Sequence, residues 1–425
     1  MSDAQPKKPS RRFAIGGLGL VGLAGLGVVV ARKHDHGAGG HDAYFQSLSK
    51  ALADAKIAQP TLVIDRARLN ANIAAVKANL AGSKLGVRVV VKSLPAMDLI
   101  DAVASGLQTN RYMVFNGPML AEMRRRKPEA DVLMGKPLPA TVASAYYDAF
   151  PGDPGPQWLI DTPERLRQYA QVAKAHGVKA RVSFEIDVGL HRGGFPDASS
   201  LAHAVDLARA DPNIEICGLM GYDPHVPKTP NPDAAFAAVQ KAYGAARAVL
   251  ADKLGGDVNR FTLNTAGSPT YLLHAKDTNA NEVSIGSAFV KPGDFDLKTL
   301  DRHVPAAFIA TPVIKALSKT QIPSLESLSD VMTFFDPNSE RAFFIYGGHW
   351  MAKPVSPAGL QYNDLFGRSS NQELLNGSRK VTLSVDDYVF LRPNQSEAIL
   401  LQFGDLAVFD GGAVTARWPT FPVSA

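Results

Sequence analysis

The chain has 425 residues, a hydrophobic share of 46%, a charged share of 20% and a net charge of +5. That length admits two domains or one large barrel with an appendage, and the small net charge with scattered basic residues points away from a nucleic-acid partner. The single cysteine, Cys217, excludes an internal disulfide and any multi-cysteine metal site. Residues 1–12 are polar and basic, and Phe13 to Ala31 then runs without a charge, rich in Gly, Leu and Val. This is the pattern of an export signal. Ser10-Arg11-Arg12 resembles a twin-arginine signal, and Val29-x-Ala31 reads as a cleavage site. The rival reading of residues 1–31 is an uncleaved anchor inserted in the membrane, since the apolar run is just long enough to span a bilayer. Both readings place the folded part in the periplasm or on the outer side of the inner membrane. Residues 32–58, with His34, His36 and His41, read as a solvated tether and linker.

From Thr61 the pattern becomes regular. Thr61–Ile64 reads as a strand, Asp65 as a helix cap, and Leu69, Ile73, Val76 and Leu80 recur at helical spacing. Val87-Arg88-Val89-Val90-Val91 reads as a buried parallel strand ending on Lys92. Strands then alternate with helices: Tyr112–Phe115, Asp131–Met134, Trp158–Ile160, Ala180–Ile186, Ile214–Met220, Phe261–Asn264 and Glu282–Ile285. Arg124-Arg125-Arg126-Lys127 falls late in one of those helices and reads as a solvent face. Counting the Lys92 strand, the series predicts an α/β fold, a (β/α)8 TIM barrel over residues 59–304. The strand near Leu62 is expected to pair with the C-terminal domain beyond residue 305, because the barrel is complete without it. Beyond residue 305 the rhythm changes to short strands, at Ala306–Ala316, Ala342–Gly347, Lys380–Leu383, Tyr388–Leu391, Ala398–Phe403 and Leu406–Phe409. Residues 305–425 therefore read as an all-β domain, with long loops at 320–340 and 354–378.

Polar clusters fall at the ends of the barrel strands, where enzymes of this architecture carry their chemistry. Lys92 in an apolar mouth, with Val89, Val90 and Val91 around it, is a candidate nucleophile that forms a Schiff base with a carbonyl group. Taken alone, a strand-end lysine is more often just exposed. Arg192, in the glycine-rich stretch from Asp187 to Gly194, can bond an anionic oxygen. Tyr222 and His225 follow the Ile214 strand. The stretch from Asn264 to Thr270 combines small residues, hydroxyls and a helix start, and Gly286-Ser287 can close it into a phosphate cradle. A strand-end lysine opposite such a cradle points to pyridoxal phosphate held through Lys92.

With these motifs in place the chain resembles the fold-type III pyridoxal-phosphate enzymes with an alanine-racemase-like barrel, and within them the D-threonine aldolase and D-serine dehydratase group. The resemblance runs from about Thr61 to Phe409. It rests on Arg88-x-x-x-Lys92, Asp131-Val132-Leu133-Met134-Gly135-Lys136-Pro137, Glu185-x-Asp187-x-Gly189-x-x-Arg192-x-Gly194, Gly218-Leu219-x-x-Tyr222-x-x-His225 and Glu282-x-x-x-Gly286-Ser287. It implies that Lys92 carries the cofactor and that Arg192 lies near its ring oxygen. It also implies that Tyr222 belongs to the cofactor site and that Gly267, Ser268, Thr270, Gly286 and Ser287 bind the phosphate. A homodimer, in which each β domain covers the other active site, is a further implication. Three departures stand out. Val89 and Val90 replace the family's Pro-His, Ala288 replaces a tyrosine, and Pro393-Asn394-Gln395-Ser396-Glu397 replaces its metal motif. Gln395 and Glu397 are then the candidate ligands for zinc or manganese, although glutamine binds either poorly.

These readings predict a pyridoxal-phosphate lyase acting on a D-configured β-hydroxy amino acid, with His225 as one candidate base at the hydroxyl. An amino-acid racemase with Tyr222 as second base, and an exported cofactor-bearing protein that binds amino acids without turnover, stay open as alternatives.

Overall fold

The computed structural model describes residues 32–422 apart from 322, 323, 325, 327 and 328. The export or anchor reading of residues 1–31 therefore lies outside the described residues. After β1 (Thr61–Asp65) come eight parallel strands. They are β2 (Gly86–Val90), β3 (Arg111–Val114), β4 (Asp131–Met134), β5 (Trp158–Ile160), β6 (Ala180–Ile186), β7 (Ile214–Gly221), β8 (Thr262–Thr265) and β9 (Glu282–Ile285). They are ordered β4-β3-β2-β9-β8-β7-β6-β5. Gln157 nearly closes the ring. Its N–H donates to Val132 at 2.7 Å and its carbonyl accepts from Met134 at 2.9 Å. This is the predicted (β/α)8 barrel, and it pairs β2 with β9, so the end of the first barrel strand lies beside the ends of the last two.

The barrel floor is polar. Arg88 is fully buried, donating to Glu282 at 2.6 Å and to Asp131 at 2.9 Å, with Asn264 also donating to Glu282 at 2.8 Å. The buried Arg88 and Glu282 persist because each charge is paired, while Asp131 stays partly exposed. Gly218 is fixed by close approach: a Cβ there would lie 1.8 Å from the Thr262 carbonyl oxygen on β8.

The second sheet contains β10 (Ala307–Leu317), β11 (Arg341–Tyr346), β12 (Ala352–Ser356), β13 (Gln361–Tyr362), β14 (Gln372–Gly377), β15 (Tyr388–Pro393), β16 (Asp405–Asp410) and β17 (Ala413–Pro419). β1 joins this sheet, antiparallel to β10 and parallel to β16, and not the barrel. All five β1 residues are buried, and the strands on both sides pair their backbone groups.

Several expectations are corrected. Residues 32–58 are not a solvated tether. Asp42 caps a helix over Ala43–Asp54 whose Phe45, Leu48 and Leu52 pack with Phe308, Phe390 and Phe409. His41 bonds Ser356 Oγ at 2.8 Å and the Tyr388 carbonyl at 3.1 Å. Ala398–Phe403 is helical instead of a strand, because a short apolar run carries no period that separates the two. Lys380–Leu383 is not a strand either, and its Val381 and Leu383 carbonyls are taken by Arg341. The loop expected at 354–378 contains β13 and β14, and that at 320–340 contains the helix Ser329–Phe335. In the basic run, Arg124 is buried against Tyr146 and Asp153, while Arg125 and Arg126 are exposed.

Candidate active site

β2 stops at Val90, and a single 3-10 turn, Val91–Ser93, lifts Lys92 into the barrel mouth. Val89, Val90 and Val91 are buried beneath it. The Lys92 amine lies 3.3 Å from Glu397 and 4.7 Å from the centroid of the Phe115 ring. It opens into a cavity of about 560 Å³ lined by Arg192, Tyr222, Gly267, Ser268, Gly286, Ser287 and Glu397. Eight residues expected from sequence, Lys92 among them, thus converge in one space.

The cradle is built by the loops that follow β8 and β9. Ala266 turns the chain in the left-handed region at φ 64°. The Gly267 N–H then reaches Thr270 Oγ1 at 3.3 Å, and Thr270 donates to the buried Asp223 at 2.5 Å. Asp223 also binds His274 at 2.8 Å, and neither residue of that pair is exposed. Ser268 Oγ accepts the N–H groups of Gly286 at 3.1 Å and of Ala288 at 3.0 Å, stitching the two loops together. Its own hydroxyl proton finds no acceptor among the described residues and is free to donate into the cavity. Gly286 must be glycine, since a Cβ would stand 2.8 Å from both Ser93 and Val90. Small residues and serine hydroxyls with no carboxylate in these loops suit an anion, and the Lys92 amine across the cavity suits a carbonyl. The residues present therefore fit pyridoxal phosphate.

The other wall comes from β6 and β7. The Arg192 guanidinium sits 4.8 Å from the centroid of the Tyr222 ring. Burial pushes the Tyr222 phenol above its ordinary range, so the hydroxyl holds its proton. Asp187 organises the Arg192 loop. It accepts N–H groups from Gly189 and His191 and pairs with the His191 ring at 2.7 Å. A second cavity of about 1110 Å³ shares Lys92, Phe115, Arg192 and Glu397 and extends to Lys136, Asp161 and Glu185. Burial raises the Glu185 carboxyl from 4.5 to about 7, with the charges of Asp161 and Asp187 adding and Arg192 opposing.

Three predicted residues stand elsewhere. His225 does not line the cavity; its Nδ1 is buried without a partner among the described residues, and a Cβ on Gly189 would lie 3.3 Å from its Nε2. Thr270 is fully buried and shapes the cradle through Asp223 without facing it. Gln395 donates to Asp294 at 3.0 Å, away from Glu397. Gln395 and Glu397 are thus committed to different partners, and no group of three metal-ligating side chains forms among the described residues. This side-chain arrangement does not fit the metal site considered from sequence. Sequence reasoning missed Ser93, Ser396 and His274. The two serines adjoin residues it singled out, whereas His274 carries no local signal.

The family model described as alanine racemase, N-terminal domain, matches residues 64–292. No curated protein sequence matches the chain. Among solved structures, D-threonine aldolase from Filomicrobium marinum is similar with a TM-score of 0.68 at 15% identity, covering 85% of this chain and 96% of that one. D-threo-3-hydroxyaspartate dehydratase from Delftia sp. HT23 gives 0.67 at 13% identity, with 86% and 98% covered. Alanine racemase from Clostridium difficile 630 gives 0.63 at 14% identity, with 84% and 98% covered.

Proposed function

The chain belongs to the alanine racemase N-terminal domain family, and from that premise we propose that it is a pyridoxal-phosphate-dependent lyase acting on a D-configured β-hydroxy amino acid. The observation that carries this reading is the single cavity in which the Lys92 amine faces the cradle of Gly267, Ser268, Gly286 and Ser287. Lys92 would hold the cofactor, the cradle its phosphate, and Arg192 an anionic oxygen of ring or substrate. When bound, the cofactor supplies an electron sink next to the substrate Cα. Lys92 moves the proton at Cα. Phe115, Met113 and Met220 line the cavity with apolar surface and keep bulk water from the reacting atoms. The shared fold of the D-threonine aldolase and the D-threo-3-hydroxyaspartate dehydratase supports the substrate class.

Protein purified with excess pyridoxal phosphate should show a visible absorption band, and borohydride should fix the cofactor on the peptide containing Lys92. Lys92→Ala should lose both while keeping the fold, because the side chain stands at a mouth and not in a packed layer. D-threonine should release an aldehyde, or D-serine ammonia. Racemisation of D-alanine with neither product would overturn the lyase reading.

A further inference from the structure

We propose that Glu397 is a catalytic residue that accepts the proton of the substrate's β-hydroxyl and returns it to Lys92. This rests on the lyase reading above and assigns it a base. Glu397 comes from the β domain, on the short helix Ser396–Ile399, and is seated there by the fully buried Ile399 and Leu400. One carboxylate oxygen lies 3.3 Å from the Lys92 amine. The other accepts from Ser396 Oγ at 3.1 Å. Ser396 Oγ is 3.1 Å from Ser287 Oγ, and Ser287 Oγ is 3.2 Å from Ser93 Oγ. All three serines are buried. A hydroxyl chain therefore ties the carboxylate to the cradle and fixes its height above Lys92. Glu397 also lines both cavities, at the junction where a substrate side chain would leave the cradle.

Its neighbours leave it free for this role. Gln395 is turned to Asp294 and brings no second ligand to Glu397. His225, the base expected from sequence, does not line the cavity. The chemistry balances without a co-reactant. The β-O–H bond breaks, its proton goes to Glu397 and its electron pair forms the C=O bond. The Cα–Cβ bond breaks with its pair staying at Cα. The Lys92 ammonium then delivers a proton to Cα, and Glu397 restores that proton to Lys92 across 3.3 Å. One β-hydroxy amino acid becomes one amino acid and one aldehyde, with both side chains reset.

Two reactions of the cofactor-loaded full chain separate the roles. Exchange of the D-alanine Cα hydrogen in deuterium oxide needs Lys92 and not a hydroxyl base. Aldehyde release from D-threonine needs both. Glu397→Gln should keep the visible band, slow exchange less than about tenfold, and lower aldehyde release about 10²- to 10⁴-fold. Glu397→Asp should recover part of that loss, and chelator should leave wild-type cleavage unchanged. Equal loss of exchange and cleavage in Glu397→Gln, no loss of either, or chelator-sensitive cleavage restored by manganese or zinc would each overturn the proposal. Exchange without aldehyde from D-threonine in the wild type would overturn it too. A wild type that takes up no cofactor would overturn the functional reading itself.

Discussion

Glu185 holds a carboxyl in the mouth without a hydrogen-bond partner among the described residues, and its titration should mark the stability of the cofactor-free protein. Its folded pKa is raised from 4.5 to about 7. The folded state therefore binds the proton more tightly than the unfolded chain. The resulting stability is present below pH 4.5 and is lost as pH rises through about 7. The span corresponds to about 3 kcal/mol. Buried His303 has the opposite sign: its pKa is lowered from 6.5 to about 4 by burial, and its contribution is lost as pH falls. Only a difference between variants isolates Glu185. Urea unfolding of wild type and Glu185→Gln between pH 4.5 and 8 should show the variant gaining on the wild type as pH rises. A pH-independent difference would contradict this account.

The helix Ala43–Asp54 shows how a sequence element acquires its role from its partner. Phe45, Leu48, Leu52 and Ile57 are buried against Val63, Phe308, Phe390 and Phe409 of the second sheet. Each such side chain contributes about 1.5–3 kcal/mol on burial. Deleting residues 32–58 should therefore lower the thermal midpoint markedly and create surface that binds a hydrophobic dye. A truncated chain with unchanged midpoint would show that the helix is dispensable. The same dependence on partners explains Ala398–Phe403, where alternating and helical burial both fit so short a run. It explains β1 as well: a strand buried on both faces can belong to a barrel or a sheet, and only the pairing with β10 and β16 decides.

For the molecule as a whole, we propose export by the twin-arginine route, motivated by Ser10-Arg11-Arg12 and the glycine-rich apolar run that follows. That route suits a protein that binds its cofactor before it crosses the membrane. Fractionation of cells carrying Arg11→Lys with Arg12→Lys should find the chain in the cytoplasm. Unchanged export would reject the route.

The alternation of apolar strands and helical periods from Val87 to Ile285 determined the barrel from sequence alone, because side-chain period is a local property. Lys92, Arg192, Gly267, Ser268, Gly286 and Ser287 were legible for a related reason: strand ends in a barrel converge wherever they occur in the chain. Tertiary structure alone decided which polar groups meet. Glu397 reaches Lys92 at a sequence separation of 305, and Asp223 finds Thr270 and His274 at separations of 47 and 51. Such contacts are set by how the β domain and the strand-end loops pack, so no local period or spacing encodes them.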